Sequence, residues 1–289
     1  MLSVEYNRDT CVEYNRDTEV NIQYFALKGK KSCFSTLHIV YSFQQLRKKS
    51  MKLDVLAIGA HPDDIELACG GTIARIVQQG KKVGILDMTQ GELGTRGSRE
   101  IRHEEAMKAA KILGVELRDN LELPDGKIEM TFENRLKTMT VIRRYRPEIL
   151  IIPHHLDRHP DHEHAHLLAK EAWYYAGLEK MQTYDDGKLQ EPFRPKKIFH
   201  FMQRYGFPPS FIVDISEQFE IRMNAVRAFR SQFYDPNSRE RETLLSRPDF
   251  LEHIETRLRY WGNQIGVRYG EPFYSYEAIG IKDIFSIAI

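Results

Sequence analysis

Apolar runs and stretches of helical periodicity alternate along the chain from Met51 onward. Short runs rich in Val, Leu and Ile predict buried strands, and apolar residues three and four positions apart predict the helices between them. The predicted strands span residues 53–60, 83–88, 116–121 and 149–152, and the predicted helices span 72–79, 98–113, 132–146 and 161–176. This alternation is typical of right-handed βαβ units. The sequence therefore predicts an α/β fold with a Rossmann-like, doubly wound, mainly parallel sheet flanked by helices.

The pattern changes at about Pro195, where shorter elements follow. Two strands are predicted at 198–203 and 211–214, and two helices at 217–229 and 249–262. We interpret these elements as the completion of the same domain, so we expect residues 51–289 to form a single domain.

Residues 1–50 do not continue this pattern. The segment V-E-Y-N-R-D-T occurs at Val4–Thr10 and again at Val12–Thr18, and two such short copies are too few for a solenoid. The basic segments at 28–31 and 47–49 are not followed by the apolar region and cleavage site of a signal peptide. We expect residues 1–50 to be an N-terminal extension, either disordered or the product of an upstream start site.

The charge balance, the apolar runs and the cysteine content bear on the partners and the environment of the protein. The 289 residues include 42 basic and 41 acidic side chains, for a net charge of +1. This balance gives no electrostatic reason to expect nucleic acid or an anionic membrane as a partner. No apolar run approaches the roughly 18 residues that a membrane span needs. Three scattered cysteines are too few for a disulfide framework, so we expect a reducing, cytoplasmic environment.

The first predicted strand ends in a dense polar cluster, which comprises His61, Asp63, Asp64 and Glu66. Such a cluster is costly after a buried strand, because like charges repel and each polar group loses water. A divalent cation would turn that repulsion into attraction. Alternatively, the acids cap the helix that follows and favour its dipole. Gly70 and Gly71 predict a tight turn into that helix at Thr72.

A second cluster follows the strand at 149–152, because six of the eleven histidines fall between His154 and His166. In open parallel sheets, ligands bind outside the carboxyl ends of the strands near a topological switch point. Both clusters follow the carboxyl end of a buried strand. We therefore expect them to converge on one site, although about 100 residues separate them.

Two zinc schemes compete for these residues. Residues 162–166 match H-E-x-x-H, the helical histidine pair and general-base glutamate of zinc peptidases, with Glu163 as the base. That motif is short, and it leaves the first cluster without a role.

The other scheme takes three ligands from the two clusters, namely His61, Asp64 and His162. Three N/O ligands leave the fourth zinc position open for water, as in catalytic sites. The scheme also leaves Asp63 and the pair His159 and Asp161 available for proton transfer. We favour it because it explains more residues with fewer coincidences.

Two motifs also make the chain similar to a known family. A-H-P-D-D-I-E at Ala60–Glu66, with H-P-D-H at His159–His162, resembles the PIG-L (LmbE-like) family of zinc-dependent N-acetylglucosaminyl deacetylases. The resemblance spans Met51 to about Phe273. Further segments resemble the bacillithiol-biosynthesis branch of that family: T-Q-G-E-L-G-T-R-G at Thr89–Gly97, D-R-H-P-D-H at Asp157–His162 and F-I-V-D-I-S at Phe211–Ser216.

The resemblance implies hydrolysis of an N-acetyl group with zinc, or another divalent metal, held by His61, Asp64 and His162. It implies that Asp63 is the general base and that a protonated His159 stabilises the oxyanion. Asp161 would then orient His159 and favour its charged form.

The family branch also implies a substrate, N-acetylglucosamine linked to L-malate, whose carboxylates Arg102 and Arg158 would contact. The planar guanidinium suits such bidentate capture. The expected partner is thus a small anionic amino sugar, and the resemblance implies a homo-oligomer. The chemistry alone leaves open another N-acetylglucosamine conjugate as the substrate.

Two rivals come from other classes of protein. A zinc peptidase would rest on the H-E-x-x-H match and would need Glu163 rather than Asp63. A non-catalytic nucleotide-binding module would rest on the Rossmann-like alternation. Its first turn, however, lacks G-x-G-x-x-G and carries acids where a pyrophosphate would lie.

Overall fold

The computed structural model describes residues 51–287 and, before them, three short strands. The chain divides into two compact units, Met1–Arg47 and Lys48–Ile289. In the first unit, three strands pair antiparallel in chain order: β1 (Ser3–Asn7), β2 (Thr10–Tyr14) and β3 (Asn21–Phe25). The interpretation of residues 1–50 as an extension stays a prediction, and residues 26–50 lie outside the described part of the chain.

The second unit alternates strands and helices as predicted. Its first elements are β4 (Val55–Gly59), α1 (Asp64–Gln78), β5 (Val83–Thr89), α2 (Arg99–Leu113), β6 (Leu117–Leu123), α3 (Phe132–Tyr145), β7 (Ile149–Pro153) and α4 (Pro160–Ala176). The later elements are the hairpin β8 (Tyr184–Asp185) and β9 (Lys188–Leu189), then β10 (Lys197–Phe201), β11 (Phe211–Asp214), α5 (Phe219–Arg227), α6 (Phe250–Asn263), β12 (Gly270–Tyr274) and a 3₁₀ turn at Ile284–Ile287. Within the described residues, no helix combines the length and apolar character that crossing a bilayer demands.

Seven strands form one sheet in the order β11-β12-β10-β7-β4-β5-β6. The five strands from β10 to β6 in that order run parallel, whereas β12 runs antiparallel to both β10 and β11. The chain moves outward from β4 to β6 and then returns to the other side of β4 as β7. The topological switch point therefore lies between β4 and β7, where ligands bind in folds of this kind. The predicted α/β fold with a mainly parallel sheet is confirmed.

Strand β4 is buried on both faces of the sheet. Val55 and Ala57 belong to a hydrophobic cluster with apolar residues of α1, α2 and α5, whereas Leu56 and Ile58 belong to a second cluster with α3 and α4. A strand covered on both faces has a continuous apolar run rather than an alternating one. This is why its sequence predicted a buried strand.

Helix α1 differs from its prediction. It begins at Asp64, eight residues before the predicted start at Thr72, and it breaks at Cys69, whose φ of −144° is not helical. The second half of the helix thus starts where the sequence predicted the whole helix. Gly71 serves close packing rather than a turn, because an added Cβ would lie 2.7 Å from a side-chain atom of Ile215.

A carboxylate from late in the chain accepts hydrogen bonds from the backbone N–H groups that the break in α1 leaves without helical partners. Glu271 of β12 accepts hydrogen bonds from the backbone N–H groups of Gly71 (2.9 Å) and Thr72 (2.6 Å). These groups are among the orphan donors that a new helix start creates. Arg222 of α5 pairs with Glu271 at 3.0 Å, and neither side chain is exposed. The sequence did not predict β12.

Candidate active site

The loop after β4 carries His61, Asp63 and Asp64 to the carboxyl edge of the sheet, where all three are buried. Asp64 Oδ2 accepts hydrogen bonds from the backbone N–H groups of Ala60 (2.8 Å) and His61 (2.9 Å), which fixes its carboxylate at the start of α1. Asp63 has a φ of 118°, in a region that residues with a Cβ rarely adopt. Strained backbone of this kind concentrates at functional sites.

The loop after β7 brings the second cluster to the same edge. Asp157 Oδ1 accepts a hydrogen bond from the backbone N–H of His159 (3.1 Å) and lies 2.8 Å from His162 Nδ1. His159 caps the N-terminus of α4, where its Nδ1 accepts from the backbone N–H of Asp161 at 3.2 Å.

The structure brings the three predicted metal ligands together. His162 Nε2 lies 3.3 Å from Asp64 Oδ1, and His61 Nδ1 lies 3.8 Å from Asp64 Oδ2. The remaining ring nitrogens face carboxylates: His162 Nδ1 faces Asp157, and His61 Nε2 lies 3.0 Å from Asp125 Oδ1. Metal-binding histidines commonly have such a second partner, and imidazole with carboxylate suits a divalent transition metal.

Two groupings of possible ligand atoms in the described residues are compact enough to hold one ion, and they differ from the predicted set. Ligand atoms of His61, His159 and His162 lie within 4.8 Å of one another, as do those of His61, Asp125 and Asp161. Both of these sets contain His61, one contains His162, and neither contains Asp64. The structure thus has a candidate His/Asp metal site centred on His61.

The electrostatics of the site favour a cation. Burial lowers the pKa of His61, but the hydrogen bonds to Asp125 and Asp161, together with the charges of Asp64 and Asp125, outweigh burial and raise it to about 10. Burial likewise lowers the pKa of His162, and Asp64 and Asp157 raise it to about 9. The carboxylates thus favour positive charge at the place where the three predicted ligands lie, which fits a candidate metal site.

Asp63 lies beside the ligands and faces Arg102. Burial raises the pKa of Asp63 to about 7, and the charge of Arg102 opposes that rise. Arg102 Nη2 donates to Asp63 Oδ2 (3.1 Å) and to the carbonyl oxygen of Pro62, and Nη1 donates to the carbonyl oxygen of Gly91 (3.3 Å). Arg102 is buried, and of its nitrogens only Nε lacks a partner within the described residues. Arg102, which was predicted to contact the substrate, therefore donates its hydrogen bonds to the predicted base Asp63 and to main-chain carbonyl groups.

Asp161 does not pair with His159 through its carboxylate, which corrects the expectation from the sequence. Asp161 Oδ2 accepts from the backbone N–H of Gly126 at 2.7 Å and lies 3.3 Å from His61 Nε2. The hydrogen bond between Asp161 and His159 comes from the backbone N–H of Asp161, because His159 acts as the helix cap. Burial, followed by the charges of His61 and His162, lowers the pKa of His159 rather than raising it. The charge of Asp161 still opposes the fall in the pKa of His159.

The residues of the H-E-x-x-H match have separate surroundings. His166 Nδ1 lies 2.9 Å from the carbonyl oxygen of Pro153, and its ring packs 5.0 Å from that of His200. Glu163 Oε1 accepts from the backbone N–H of Asp157 at 3.3 Å. Neither His166 nor Glu163 lines the cleft that contains His162. The structure therefore does not assemble a peptidase-like metal site from this motif.

A cleft of about 550 Å³ opens on the cluster. Arg158 lies exposed on its wall, with no hydrogen bond or ion pair recorded to any described residue. Sequence reasoning missed other lining residues: Asp125, Gln203, Arg204 and Arg257. Gln203 Nε2 donates to Asp64 Oδ1 at 2.6 Å. Asp125, Gln203 and Arg204 each follow the carboxyl end of a parallel strand, and that position was the signal that could have found them.

The fold and the site define a class, an α/β enzyme with a candidate metal centre at the switch point of a Rossmann-like sheet. The PIG-L family model, described as GlcNAc-PI de-N-acetylase, matches residues 56–173. The chain is 34% identical over 235 residues to the diacetylchitobiose deacetylase of Thermococcus kodakarensis, covering 75% of this chain and 80% of that protein. The chain therefore belongs to the PIG-L family of deacetylases, and the prediction of an amidohydrolase is confirmed.

Solved structures agree with this assignment. The conserved protein TT1542 from Thermus thermophilus is 40% identical with a TM-score of 0.72, over 80% of this chain and 98% of that chain. The N,N'-diacetylchitobiose deacetylase from Pyrococcus horikoshii, complexed with its inhibitor MPG, is 28% identical with a TM-score of 0.64, over 76% of this chain and 82% of that chain.

Proposed function

We propose that this enzyme hydrolyses the N-acetyl group of an N-acetylglucosamine conjugate with a zinc ion held by His61, Asp64 and His162. The observation that carries the proposal is the convergence of these three side chains with Asp63 beside them. Another divalent metal that prefers nitrogen and oxygen ligands fits the same donors. The matched family model and the diacetylchitobiose deacetylase of Thermococcus kodakarensis support an N-acetylated amino sugar as the substrate.

A bound zinc ion lowers the pKa of a water molecule toward about 7 and polarises a carbonyl oxygen. Asp63 takes the proton of the attacking water, because burial keeps the pKa of its carboxyl near neutral. Arg102 holds that carboxylate in one orientation through its Nη2 donor. His159, whose Nδ1 accepts a backbone hydrogen bond, carries its proton on Nε2 and can donate a hydrogen bond from it to the developing oxyanion. The proton that Asp63 has taken from water then passes to the leaving amine. Asp161 contributes by orienting His61.

Within this activity we propose N-acetylglucosaminyl L-malate as the substrate, as in the bacillithiol branch that the chain resembles. The branch-like segments and the exposed Arg158 on the cleft wall support this choice. Arg102 was the second expected malate contact, and its burial against Asp63 makes it the weaker one. Diacetylchitobiose is the neutral alternative.

The direct test is mass spectrometry of acetyl loss from N-acetylglucosaminyl L-malate, diacetylchitobiose and N-acetylglucosamine, with and without a chelator. Asp63→Asn should keep its metal but lose about 10²- to 10⁴-fold in kcat, since it removes the base. His61→Ala and His162→Ala should lose the metal itself, measured by elemental analysis. Glu163→Gln is the control and should stay active. If Glu163→Gln were inactive while Asp63→Asn remained active, the result would support the peptidase scheme instead.

Two broader expectations are also proposals. The scattered cysteines support a reducing, cytoplasmic environment. The family resemblance supports a homo-oligomer, which light scattering of the purified protein would test.

A further inference from the structure

The outer wall of the cleft carries arginines without a carboxylate partner. Arg204 and Arg257 line both the cleft and an adjoining cavity of about 480 Å³. Arg204 follows β10 and is exposed, and its side chain has no recorded hydrogen bond or ion pair among the described residues. Arg257 of α6 donates only to main chain, to the carbonyl oxygens of Gln203 and Leu67.

These cations are crowded. Burial lowers the pKa of Arg257 to about 10, and repulsion from Arg222 and Arg204 adds to the effect, against the opposing charges of Glu271 and Asp157. Arg222 already pairs with Glu271 at 3.0 Å. No carboxylate lies within ion-pair distance of Arg204 or Arg257 in the described part of the chain. A bound anion would relieve this repulsion with charge-assisted hydrogen bonds.

The rest of the adjoining cavity suits an organic anion. Phe250 and Tyr260 contribute aromatic surface, and no acidic residue lines this cavity among those described. Two more basic side chains on its wall, Arg247 and His253, share the carboxylate of Asp249 at 3.4 Å and 2.9 Å. Because Phe250, Arg204 and Arg257 border both spaces, one ligand can reach from the metal cluster into the adjoining cavity.

We propose that Arg204 and Arg257 form an anion-binding subsite for a carboxylate or phosphate on the group attached to the amino sugar. The inference rests on the proposed function and deepens it, because it names the side chains that select an anionic conjugate. In this proposal the negative charge of the substrate is recognised by residues that follow β10 in the chain. The expectation from the sequence was that Arg102 and Arg158 recognise it. The sugar and its acetyl group then lie toward the His/Asp cluster, and the charged aglycone lies toward α6.

The kinetic test compares kcat/KM for three substrates: N-acetylglucosaminyl L-malate, N-acetylglucosamine 1-phosphate and neutral diacetylchitobiose. Arg204→Gln should lower kcat/KM about 10-fold or more for the anionic substrates, mainly through KM, and leave the neutral one nearly unchanged. Comparing the loss of kcat/KM for the malate conjugate with the loss for the phosphate shows which anion the subsite prefers. Arg230→Gln is the control, because Arg230 is exposed and does not line the cleft. Equal losses on all three substrates, or none, would overturn the subsite.

Arg257→Gln should act in the same direction, but Arg257 also holds two main-chain carbonyls. Its melting temperature must therefore be measured beside its kinetics. Arg204→Gln keeps the proposal testable if Arg257→Gln does not fold. The Arg204 side chain makes no hydrogen bond to a described residue, and the hydrogen bond from its backbone N–H to Asp157 Oδ2 (2.9 Å) survives the substitution.

A binding measurement separates this inference from the proposed function. L-Malate and inorganic phosphate are titrated calorimetrically into the metal-loaded wild type and Arg204→Gln at one fixed ionic strength, because salt screens exposed charges. The wild type should bind at least one of them about 10-fold more tightly than the variant. If no substrate is deacetylated but binding still depends on Arg204, the proposed function fails and the subsite stands. If deacetylation proceeds and both proteins bind the anions alike, the subsite fails and the function stands.

Discussion

Arg102→Gln separates two roles for the same buried side chain. The sequence predicted that Arg102 contacts the malate of the substrate. In the structure its Nη2 donates to Asp63 Oδ2 at 3.1 Å, so its charge stabilises the carboxylate form of the proposed base. The substitution removes that charge and leaves a shorter, uncharged polar side chain. We expect it to weaken the base rather than the affinity for malate.

The size of the effect follows from this contact. A hydrogen bond to a charged group contributes about 1.5–3 kcal/mol, and about 1.4 kcal/mol corresponds to one pKa unit. The pKa of Asp63, about 7 with Arg102 present, should therefore rise by about 1–2 units. Asp63 must be deprotonated to act, so activity is lost as the pH falls through its pKa, and a higher pKa moves this acidic limb upward. On the acidic limb, below the pKa of Asp63 in both proteins, kcat/KM at a given pH should fall about 10- to 100-fold.

The assay is kcat/KM between about pH 5 and about pH 10 for the malate conjugate and for diacetylchitobiose. A bound metal ion lowers the pKa of Asp63 in both proteins, so the displacement between their profiles is the measured quantity. The loss should be equal for the two substrates and should shrink at high pH. Arg99→Gln, an exposed change three residues earlier on α2, is the control. A loss that is independent of pH and confined to the malate conjugate would refute this reasoning and restore Arg102 as a substrate contact.

Two further predictions concern stability. Glu271→Gln leaves Arg222 buried without its charge partner and should lower the free energy of unfolding in urea by about 3–5 kcal/mol. The control Glu277→Gln breaks an exposed pair and should cost less than about 1 kcal/mol, so a similarly small loss for Glu271→Gln would contradict the prediction. The third prediction concerns acid stability, because burial lowers the pKa of His200 to about 3 in the folded protein. In the unfolded chain the same group has its ordinary pKa of about 6.5 and binds a proton first as the pH falls. The free energy of unfolding should therefore decrease as the pH is lowered, by about 2 kcal/mol at pH 5. Burial also lowers the pKa of the neighbouring His166, to about 4, so His200→Gln should weaken the fall in stability without abolishing it. An unchanged slope between pH 7 and pH 5 would show that His200 does not contribute.

The parallel core and the convergence of the two polar clusters could be predicted from the sequence for physical reasons. Strands buried on both faces have continuous apolar runs, and β4 and β7 are of this kind. Polar clusters that follow such strands must meet at one edge of the sheet, which brought His61, Asp64 and His162 together in the prediction.

The features that could not be predicted from the sequence depend on contacts between residues that are distant along the chain. The break in α1 is satisfied by Glu271, which lies 200 residues after Gly71. Strand β12 contains Pro272, although proline in a strand argues against a central position in a sheet. The roles of Arg102 and Asp161 were predicted from neighbours in sequence, whereas their side chains contact Asp63 and His61 across the fold.

The later part of the chain also holds the helix that carries the predicted ligand Asp64. The carbonyl oxygen of Leu67, in the first half of α1, accepts hydrogen bonds from Arg222 of α5 and from Arg257 of α6, and Gln203 after β10 donates to Asp64 itself. The family model matches residues 56–173, which contain every residue that we propose as metal ligand or base but none of these supporting groups. Arg257 thus links two functions, since it braces α1 and lines the cavity of the proposed anion subsite. An anion bound at Arg257 would therefore act on the same guanidinium that holds the helix of Asp64, which is a physical route by which the charged part of a substrate could influence the geometry of the metal site.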